Sequence, residues 1–189
     1  MNYLIGKKIK LVKFSKQHIT TQYIGWLNDP EVNRFLCTGR FPVDKGSVPI
    51  RNDEKNLMFS VYSNIGFDSI NKQYEDIDYN KYIGTCSLNS IDWIVRKAEI
   101  GYLLGEKSYW GCGIATEIIE LLTNYSFGRI NLNKITAGVV EGNFGSIKAL
   151  EKNGFKQFSV LEQEYYLDGK YLNAYRFHNF KEWYNAKKS

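Results

Sequence analysis

The sequence predicts a single α/β domain, and three observations support this. A strand-like run from Ala98 to Leu104 passes through a glycine-rich turn into an amphipathic helical run that continues to Phe127. A second apolar run, Lys134 to Val140, is rich in β-branched residues and leads into a short helical segment. The 189 residues, 43% of them hydrophobic, suit one domain with a sizeable core. We therefore expect residues 1–189 to form one domain of the α/β (or α+β) class.

The first 36 residues are predicted to contain one strand and two helices. Ile9 to Phe14 is the first strand. Ser15 or Thr20 is placed to cap a helix that runs to about Leu27. Pro30 suits the first turn of a second helix, where the missing N–H of proline has no helical partner to lose.

The middle of the chain is predicted to contain three strands and one long loop. Leu57 to Tyr62 is the first of these strands. The segment 64–81 is polar, rich in Asp and without periodicity, so we expect a long hairpin loop. Tyr82 to Leu88 and Ala98 to Leu104 are then expected to pair with each other.

A glycine-rich turn between Tyr109 and Glu117 is the most informative motif. Its sequence is Tyr-Trp-Gly-Cys-Gly-Ile-Ala-Thr-Glu. Such a turn at the start of a helix presents several backbone N–H groups at the positive end of the helix dipole. The glycines at 111 and 113 let an anion approach the backbone closely. The apolar face of the following helix consists of Ile114, Ile118, Leu121, Leu122 and Tyr125. The motif therefore predicts a site for a phosphate-bearing cofactor.

Two nucleotide-binding patterns fit this turn poorly. A dinucleotide fingerprint requires a third small residue where the chain has Thr116, and a strand–helix–strand unit around the motif. The phosphate loop of nucleotide hydrolases ends in Gly-Lys-Ser or Gly-Lys-Thr, which the turn lacks. A tight strand-to-helix connection without any ligand remains the alternative for so short a motif.

The segment after Val140 predicts a short, capped helix. Asn143 is a suitable N-cap, and Ala149 with Leu150 supplies an apolar face. The dipeptide at 153–154, Asn-Gly, fits a left-handed C-cap.

A β-hairpin is predicted near the end of the chain. The apolar runs 157–166 and 171–177 flank a Leu-Asp-Gly-Lys turn. Asp-Gly between two such runs is a strong short-range signal for a hairpin.

The order of glycine loop, long helix, strand, Asn-x-x-Ser, short helix and Gly-Phe resembles the GNAT acetyltransferases. The similarity is specific from Tyr82 to Phe155 and looser on either side. Within the superfamily, the chain is most similar to the branch typified by ribosomal-protein N-terminal acetyltransferases. The resemblance implies a mixed central sheet, flanked by helices and splayed between its fourth and fifth strands, at Ala98 and Lys134.

Composition argues against several other classes of protein. The net charge of +5 falls well short of a basic stripe, so we expect no nucleic-acid partner. We also expect no membrane partner, because no apolar run is long enough to span a bilayer and the N-terminus lacks a signal-peptide core. Cys37, Cys86 and Cys112 are odd in number and scattered, which argues against disulfides and a zinc site. We expect a cytoplasmic enzyme without a metal, acting as a monomer or a homodimer.

The resemblance implies acetyl-CoA as co-substrate. Its pantetheine arm would lie in the splay, where the backbone at Leu103, Leu104 and Gly105 would hold it and polarise the thioester carbonyl. The diphosphate would be bound by the backbone amides of Trp110, Gly111, Cys112, Gly113, Ile114 and Ala115. Asn143 would hydrogen-bond the arm, and Ser146 would lie beside the thioester sulfur.

Direct acetyl transfer requires the acceptor ammonium to lose a proton and the departing thiolate to be stabilised. Many relatives use a Tyr as the acid, and the matching position here is Leu150, a departure from the family's pattern. Ser146 is the predicted substitute, with Tyr165 or Tyr166 as a more remote candidate. Glu99 is the predicted base, acting directly or through water. The alternative for Glu99 is a partly exposed carboxylate that pairs with a neighbouring Lys or Arg.

The acceptor site is predicted in the segment 23–36, where this fold builds its acceptor wall. Its Trp-Leu-Asn-Asp-Pro-Glu-Val sequence, followed by Asn-Arg, resembles acetyltransferases associated with bacterial surface-sugar synthesis. The predicted substrate-binding residues, which would contact an amino-sugar nucleotide, are Trp26, Asn28, Asp29 and Arg34. The alternative is that Asp29 and Pro30 simply start a helix and that Trp26 anchors the core.

These features predict an acetyl-CoA-dependent N-acetyltransferase that moves an acetyl group directly to a primary amine. A small-molecule amine such as an amino-sugar nucleotide is the favoured acceptor. The N-terminus of a (ribosomal) protein is the alternative acceptor. A domain that binds acyl-CoA as a sensor, without turnover, is a second alternative because Leu150 replaces the usual Tyr.

Overall fold

The computed structural model describes residues 2–36, 41–64 and 81–188. Within these ranges the strands are β1 (Asn2–Ile5), β2 (Ile9–Lys13), β3 (Leu57–Ser63), β4 (Tyr82–Asp92), β5 (Lys97–Leu104), β6 (Lys134–Val140), β7 (Lys156–Leu167) and β8 (Lys170–Phe180). The α-helices of the same ranges are α1 (Thr21–Asn28), α2 (Ile114–Asn124), α3 (Phe144–Lys152) and α4 (Lys181–Lys188). A π-helical turn, Tyr125–Arg129, continues α2.

All eight strands form one mixed sheet in the order β1-β2-β3-β4-β5-β6-β8-β7. Every neighbouring pair is antiparallel except β5 and β6, which are parallel. That parallel pairing covers only residues 97–99 against 134–136, so the two strands separate beyond Glu99 and Thr136. The predicted splay between the fourth and fifth strands is therefore confirmed. These strands are β5 and β6 here because β1, which the sequence did not predict, precedes them.

Hydrophobic side chains pack on both faces of the sheet. One cluster lies under α2 and α3 and contains Ile83 together with the fully buried Ile118 of α2. The other cluster lies under α1 and contains Tyr82 and Trp26. Successive side chains of a strand point to opposite faces, so Tyr82 and its neighbour Ile83 belong to different clusters.

Local capping explains where the predicted helices begin. Thr20 Oγ1 accepts a hydrogen bond from the Tyr23 amide at 3.1 Å and caps α1. Asn143 Oδ1 accepts from the Ser146 amide at 3.3 Å and caps α3, as predicted. Gly113 is the N-cap of α2 and has a φ of 78°, a left-handed conformation that suits glycine.

The helix predicted to start at Pro30 is wrong, because residues 30–35 form turns. The Asp29 carboxylate accepts from the Glu31 amide at 2.9 Å, as a helix cap would. The Asn33 side chain, however, donates back to the Leu27 carbonyl at 2.8 Å, and the Leu36 amide bonds to the Asn33 carbonyl three residues earlier. One helical bond forms, from the Asn33 amide to the Asp29 carbonyl at 2.9 Å, but these local bonds replace the continuing ladder of a helix.

Of the two predicted hairpins, the structure describes the second completely but only the strands of the first. The strands on either side of the segment 64–81 pair antiparallel, and the Ser63 amide bonds to the Lys81 carbonyl at 2.9 Å. Residues 65–80 of the predicted loop lie outside the described residues. The β7–β8 hairpin is confirmed, with Asp168 and Gly169 both at positive φ (50° and 80°), as a type I′ turn requires.

No helix within the described ranges combines the length and the hydropathy needed to cross a membrane.

Candidate active site

The opening between β5 and β6 is the centre of the candidate site. It is bordered by the loop before α2 on one side and by α3, which follows β6, on the other. Backbone polar groups of successive residues in a strand point alternately to its two neighbours. The Gly105 amide bonds to the Ile83 carbonyl on the β4 side at 3.0 Å. The amide of Leu104 consequently faces the opening, whereas the amides of Leu103 and Gly105 face β4.

The glycine loop is held in a defined conformation at the edge of this opening. Gly111 and Gly113 have φ values of 77° and 78°. The Trp110 indole Nε1 donates to the Leu104 carbonyl at 2.8 Å, which ties the loop to the end of β5. Beyond Gly113, the amides of Ile114 and Ala115 belong to the first turn of α2, where a helix offers its N–H groups no internal partner. The loop residues thus lie together, with Cys112 between the two glycines.

Lys8, in the connection between β1 and β2, contacts this loop and was missed by sequence reasoning. Its Nζ donates to the Cys112 carbonyl at 2.7 Å. Its backbone amide donates to the Glu117 carboxylate at 3.0 Å, in the first turn of α2. The two residues of the first contact are 104 positions apart in sequence, so no local pattern could reveal the pair.

Ser146 faces the opening from α3 and has a partner on β5. The Tyr102 hydroxyl and Ser146 Oγ lie 2.7 Å apart. Burial raises the pKa of Tyr102, an effect that the hydrogen bond with Ser146 partly offsets. Leu150, at the position where many relatives have Tyr, is fully buried in the core and carries no polar group. Tyr102 is thus the phenol that lies beside Ser146, and sequence reasoning missed it.

Glu99 forms an ion pair at the closed end of the opening. Its two carboxylate oxygens accept from Arg176 Nη1 and Nη2 on β8 at 2.9 and 3.0 Å. The pair spans β6 at Gly138, where any side chain would collide with the Arg176 guanidinium. Glu99 raises the pKa of Arg176 further above its ordinary value. This ion pair is the alternative that the sequence left open for Glu99, and its role as a base stays a prediction.

A cavity of about 780 Å³ adjoins the end of β6. It is lined by Pro30, Glu31, Asn33, Arg34, Phe35, Leu36, Val140, Tyr165, Tyr166, Leu167 and Asp168. Arg34 and Asp168 face each other across it at 3.4 Å, between Nη2 and Oδ2. The cavity therefore joins the segment after α1 to the β7–β8 hairpin, with Val140 next to the opening.

Of the predicted acceptor residues, Arg34 lines this cavity and the other three make structural contacts. Trp26 is 7% exposed and packs against Gly105, whose lack of a side chain makes room for the indole. The Asn28 side chain exchanges hydrogen bonds of 2.8 and 2.9 Å with the backbone of Val43. Asp29 pairs with Lys107 at 2.8 Å, and this hydrogen bond lowers the pKa of its carboxyl. These contacts agree with the structural alternative for Trp26, and a substrate contact by any of the three stays a prediction.

The described ranges contain no group of three His, Cys, Asp or Glu side chains placed to hold a metal ion.

Comparison with known proteins defines the class of enzyme, an acyltransferase. The chain belongs to the GNAT family of acetyltransferases, because the family described as acetyltransferase (GNAT) domain matches residues 8–156. It is 32% identical over 184 residues to the Bacillus licheniformis protein named uncharacterized N-acetyltransferase p20, and the match covers 97% of this chain and 99% of that protein.

Two further relatives carry names that mention acceptors. The α/β-tubulin N-acetyltransferase 9 of Homo sapiens is 22% identical over 158 residues, 83% of this chain and 76% of that protein. The crystal structure of spermidine N-acetyltransferase from Vibrio cholerae in complex with CoA and spermine superimposes with a TM-score of 0.75. That likeness covers 95% of this chain and 99% of the other at 19% identity, and it supports the fold.

Proposed function

We propose that this acetyltransferase moves the acetyl group of acetyl-CoA directly to the primary amine of a small acceptor. One observation carries the proposal: the opening between β5 and β6 is bordered by the glycine loop and, at Val140, by a cavity large enough for a second substrate. A thioester held along the loop and an amine held in the cavity would meet at the opening.

The glycine loop supports the choice of a CoA thioester. Left-handed glycines and the first-turn amides of α2 give a concave set of N–H donors that suits a diphosphate. Asn143 uses its oxygen to cap α3, and among the described residues its Nδ2 has no hydrogen-bond partner. That nitrogen is the group we assign to a carbonyl of the pantetheine arm. Lys8 adds a positive charge beside the loop.

The opening supplies donors for the two atoms that gain negative charge. Attack by the amine forms a C–N bond, and negative charge develops on the thioester oxygen. The Leu104 amide faces the opening and would donate to that oxygen. The C–S bond then breaks, and the Ser146 hydroxyl would donate to the departing sulfur.

The amine must lose a proton before or during attack. Glu99 is our candidate for receiving it through a bridging water, because both of its oxygens already accept from Arg176. A carboxylate has about four lone-pair sites, so a water molecule still finds an acceptor there.

Two kinds of small amine fit different features of the cavity. An amino-sugar nucleotide is the first candidate, because Arg34 lines the cavity and a guanidinium matches a phosphate bidentately. A polyamine is the second, because Glu31 and Asp168 also line it and carboxylates attract a polycation. The solved relative named for spermidine acetylation adds support to the second candidate. A protein N-terminus is the remaining acceptor class, in line with the relative named for tubulin.

A thiol-release assay with one panel of acceptors tests the proposal. The panel contains amino-sugar nucleotides, polyamines and N-terminal peptides, each offered with acetyl-CoA. We expect release of CoA with one of the small amines and none without an acceptor. Release with peptides alone would move the acceptor assignment to a protein N-terminus. Absence of acetyl-CoA binding by calorimetry would remove the proposal altogether.

A further inference from the structure

Tyr102 and Ser146 approach each other from the two sides of the opening. Tyr102 belongs to β5, and Ser146 lies in the first turn of α3 after β6. Their hydroxyl oxygens are 2.7 Å apart, the usual distance of an O–H···O hydrogen bond. Both side chains are half-buried, so the pair is sheltered yet borders the opening.

The direction of this hydrogen bond follows from what each group is able to donate. Burial raises the pKa of Tyr102, so its phenol keeps its proton at neutral and mildly alkaline pH. A serine hydroxyl has one proton to donate and two lone pairs that accept. A thiolate only accepts. With a thiolate beside Ser146, the serine hydroxyl donates its hydrogen bond to sulfur, and Ser146 Oγ accepts a hydrogen bond from the Tyr102 hydroxyl.

We infer that Tyr102 is a positioning residue for acetyl transfer, whose hydroxyl donates to Ser146 Oγ and thereby directs the Ser146 hydroxyl to the departing CoA sulfur. The inference rests on the proposed function and deepens it. No proton changes owner in this step: the C–S bond breaks, its electron pair remains on sulfur, and the sulfur accepts a hydrogen bond. A chain of two hydrogen bonds is stronger than its members taken separately, because each polarises the next.

Tyr102 supplies a phenol near the opening, whereas the chain has Leu150 where many relatives have a Tyr. Leu150 lies in the last turn of α3, is packed in the core and offers no hydroxyl. The phenol of Tyr102 reaches Ser146 from β5, on the opposite side of the opening.

Kinetics of a Tyr102→Phe variant provide the first test. The substitution keeps the ring and its packing but removes the hydroxyl. We expect kcat for thiol release to fall about tenfold, equivalent to about 1.4 kcal/mol, with KM for acetyl-CoA changed by less than about twofold. Tyr62→Phe on β3 is the matched control, because Tyr62 is also half-buried and lies in the cluster on the other face of the sheet. In a Ser146→Ala background, Tyr102→Phe should have no further effect.

Calorimetric binding provides a second test that needs no turnover. CoA is compared with desulfo-CoA, which has hydrogen in place of the thiol, from pH 7 to 10. The thiol of a cysteine side chain titrates near pH 8.5, roughly, and the alkyl thiol of CoA titrates in the upper, alkaline part of this pH range. Stabilisation of the thiolate lowers the pKa of the bound thiol, so wild-type protein should bind CoA increasingly better than desulfo-CoA as the pH rises. For Tyr102→Phe this preference should be lost or reduced about tenfold.

Each outcome decides the inference. A Tyr102→Phe variant that keeps wild-type kcat and the wild-type pH-dependent preference for CoA would overturn it. An increase in KM with unchanged kcat would assign Tyr102 to packing. If wild-type protein binds both ligands but shows no preference at high pH, Ser146 and Tyr102 do not stabilise the thiolate. If it shows the preference but releases no thiol with any amine, the proposed function fails while the hydrogen-bond chain stands.

Discussion

Gly111 and Gly113 have left-handed backbone conformations, which a residue with a side chain adopts only at an energetic cost. A non-glycine residue in this region costs about 1–2 kcal/mol, and at both positions φ is close to 78°. The sequence indicated these glycines because a glycine-rich turn before an amphipathic helix is a local pattern. It also indicated the Asn143 cap and the location of Ser146, which lie within three residues of each other. Residue pairs far apart in sequence, such as Tyr102 with Ser146, were not accessible because only the sheet brings them together.

Replacement of Gly113 tests the loop directly. A Gly113→Val side chain would have to adopt the left-handed conformation beside Lys8 Nζ, so the loop should change conformation and its amides should lose their common orientation. We expect the Kd for acetyl-CoA, measured by calorimetry, to rise at least about a hundredfold, or about 2.8 kcal/mol. Gly128→Ala is the control, because a methyl group added at Gly128 would point into open space and the backbone there has no positive φ. Unchanged affinity in Gly113→Val would rule out a diphosphate at this loop.

Loss of the Glu99 ion pair should affect both the thermal stability of the protein and the rate of acetyl transfer. In Glu99→Gln the carboxamide retains the size of the side chain but loses the charge that pairs with Arg176. Since the pair is partly exposed, we expect a loss of about 1 kcal/mol and a Tm lower by about 2–4 °C. If Glu99 also receives the acceptor proton, kcat should fall by about a hundredfold or more. A lower Tm with an unchanged rate would leave Glu99 with a structural role alone.

At the scale of the elements, periodicity predicted most strands and helices and turn chemistry predicted the β7–β8 hairpin. The failures have physical causes. The turns after Pro30 arise because Asn33 and Asp29 bond to nearby backbone, a competition that helix-start signals do not describe. Strand β1 is only four residues long and pairs at the sheet edge with β2, so its own sequence carries little periodic signal. The short β1–β2 connection nevertheless brings Lys8 to the loop before α2.

Lys8 therefore links an edge element to the candidate diphosphate site. A trans peptide points its carbonyl and its N–H in opposite directions, so a bond to the Cys112 carbonyl also orients the Gly113 amide. We expect Lys8→Met to raise the Kd for CoA about tenfold. Turnover of S-acetylpantetheine, which lacks the diphosphate, should change little. The exposed neighbour Lys7, replaced by Met, is the control. Equal losses with both donors would mean that Lys8 supports the fold rather than the diphosphate site.

At the scale of the whole molecule, a buried histidine that packs against the apolar cluster under α1 links stability to pH. His18 is 3% exposed, and its Nδ1 accepts from the Ser15 amide at 2.9 Å. Burial lowers the pKa of His18 below its ordinary value of 6.5. The unfolded chain therefore binds a proton at a higher pH than the folded chain does. This contribution to stability is complete above pH 6.5 and is lost as the pH falls towards the folded-state pKa.

Thermal unfolding between pH 7.5 and 5 measures this linkage. We expect the Tm of the wild-type protein to fall below about pH 6.5, and the slope to be shallower in His18→Phe, which keeps a ring between Phe14 and Tyr82. His178 also has a pKa lowered by burial and, to a lesser extent, by Lys134 and Lys156, so part of the slope should remain. Parallel curves for the variant and wild-type protein would contradict a role for His18.

The Glu99–Arg176 ion pair lies where β5 and β6 begin to separate. The opening between the strands is therefore a wedge whose narrow end is held by this pair. If β5 and β6 move apart, they should rotate about this ion pair, so the distance between them should increase most at the end near Leu104 and Val140. The two charges are 2.9 Å apart, well inside the Debye length of about 8–10 Å near physiological ionic strength, so salt should weaken their attraction only at about 1 M, where that length falls to about 3 Å. The separation of β5 and β6 should consequently be insensitive to salt at physiological ionic strength and increase only in molar salt.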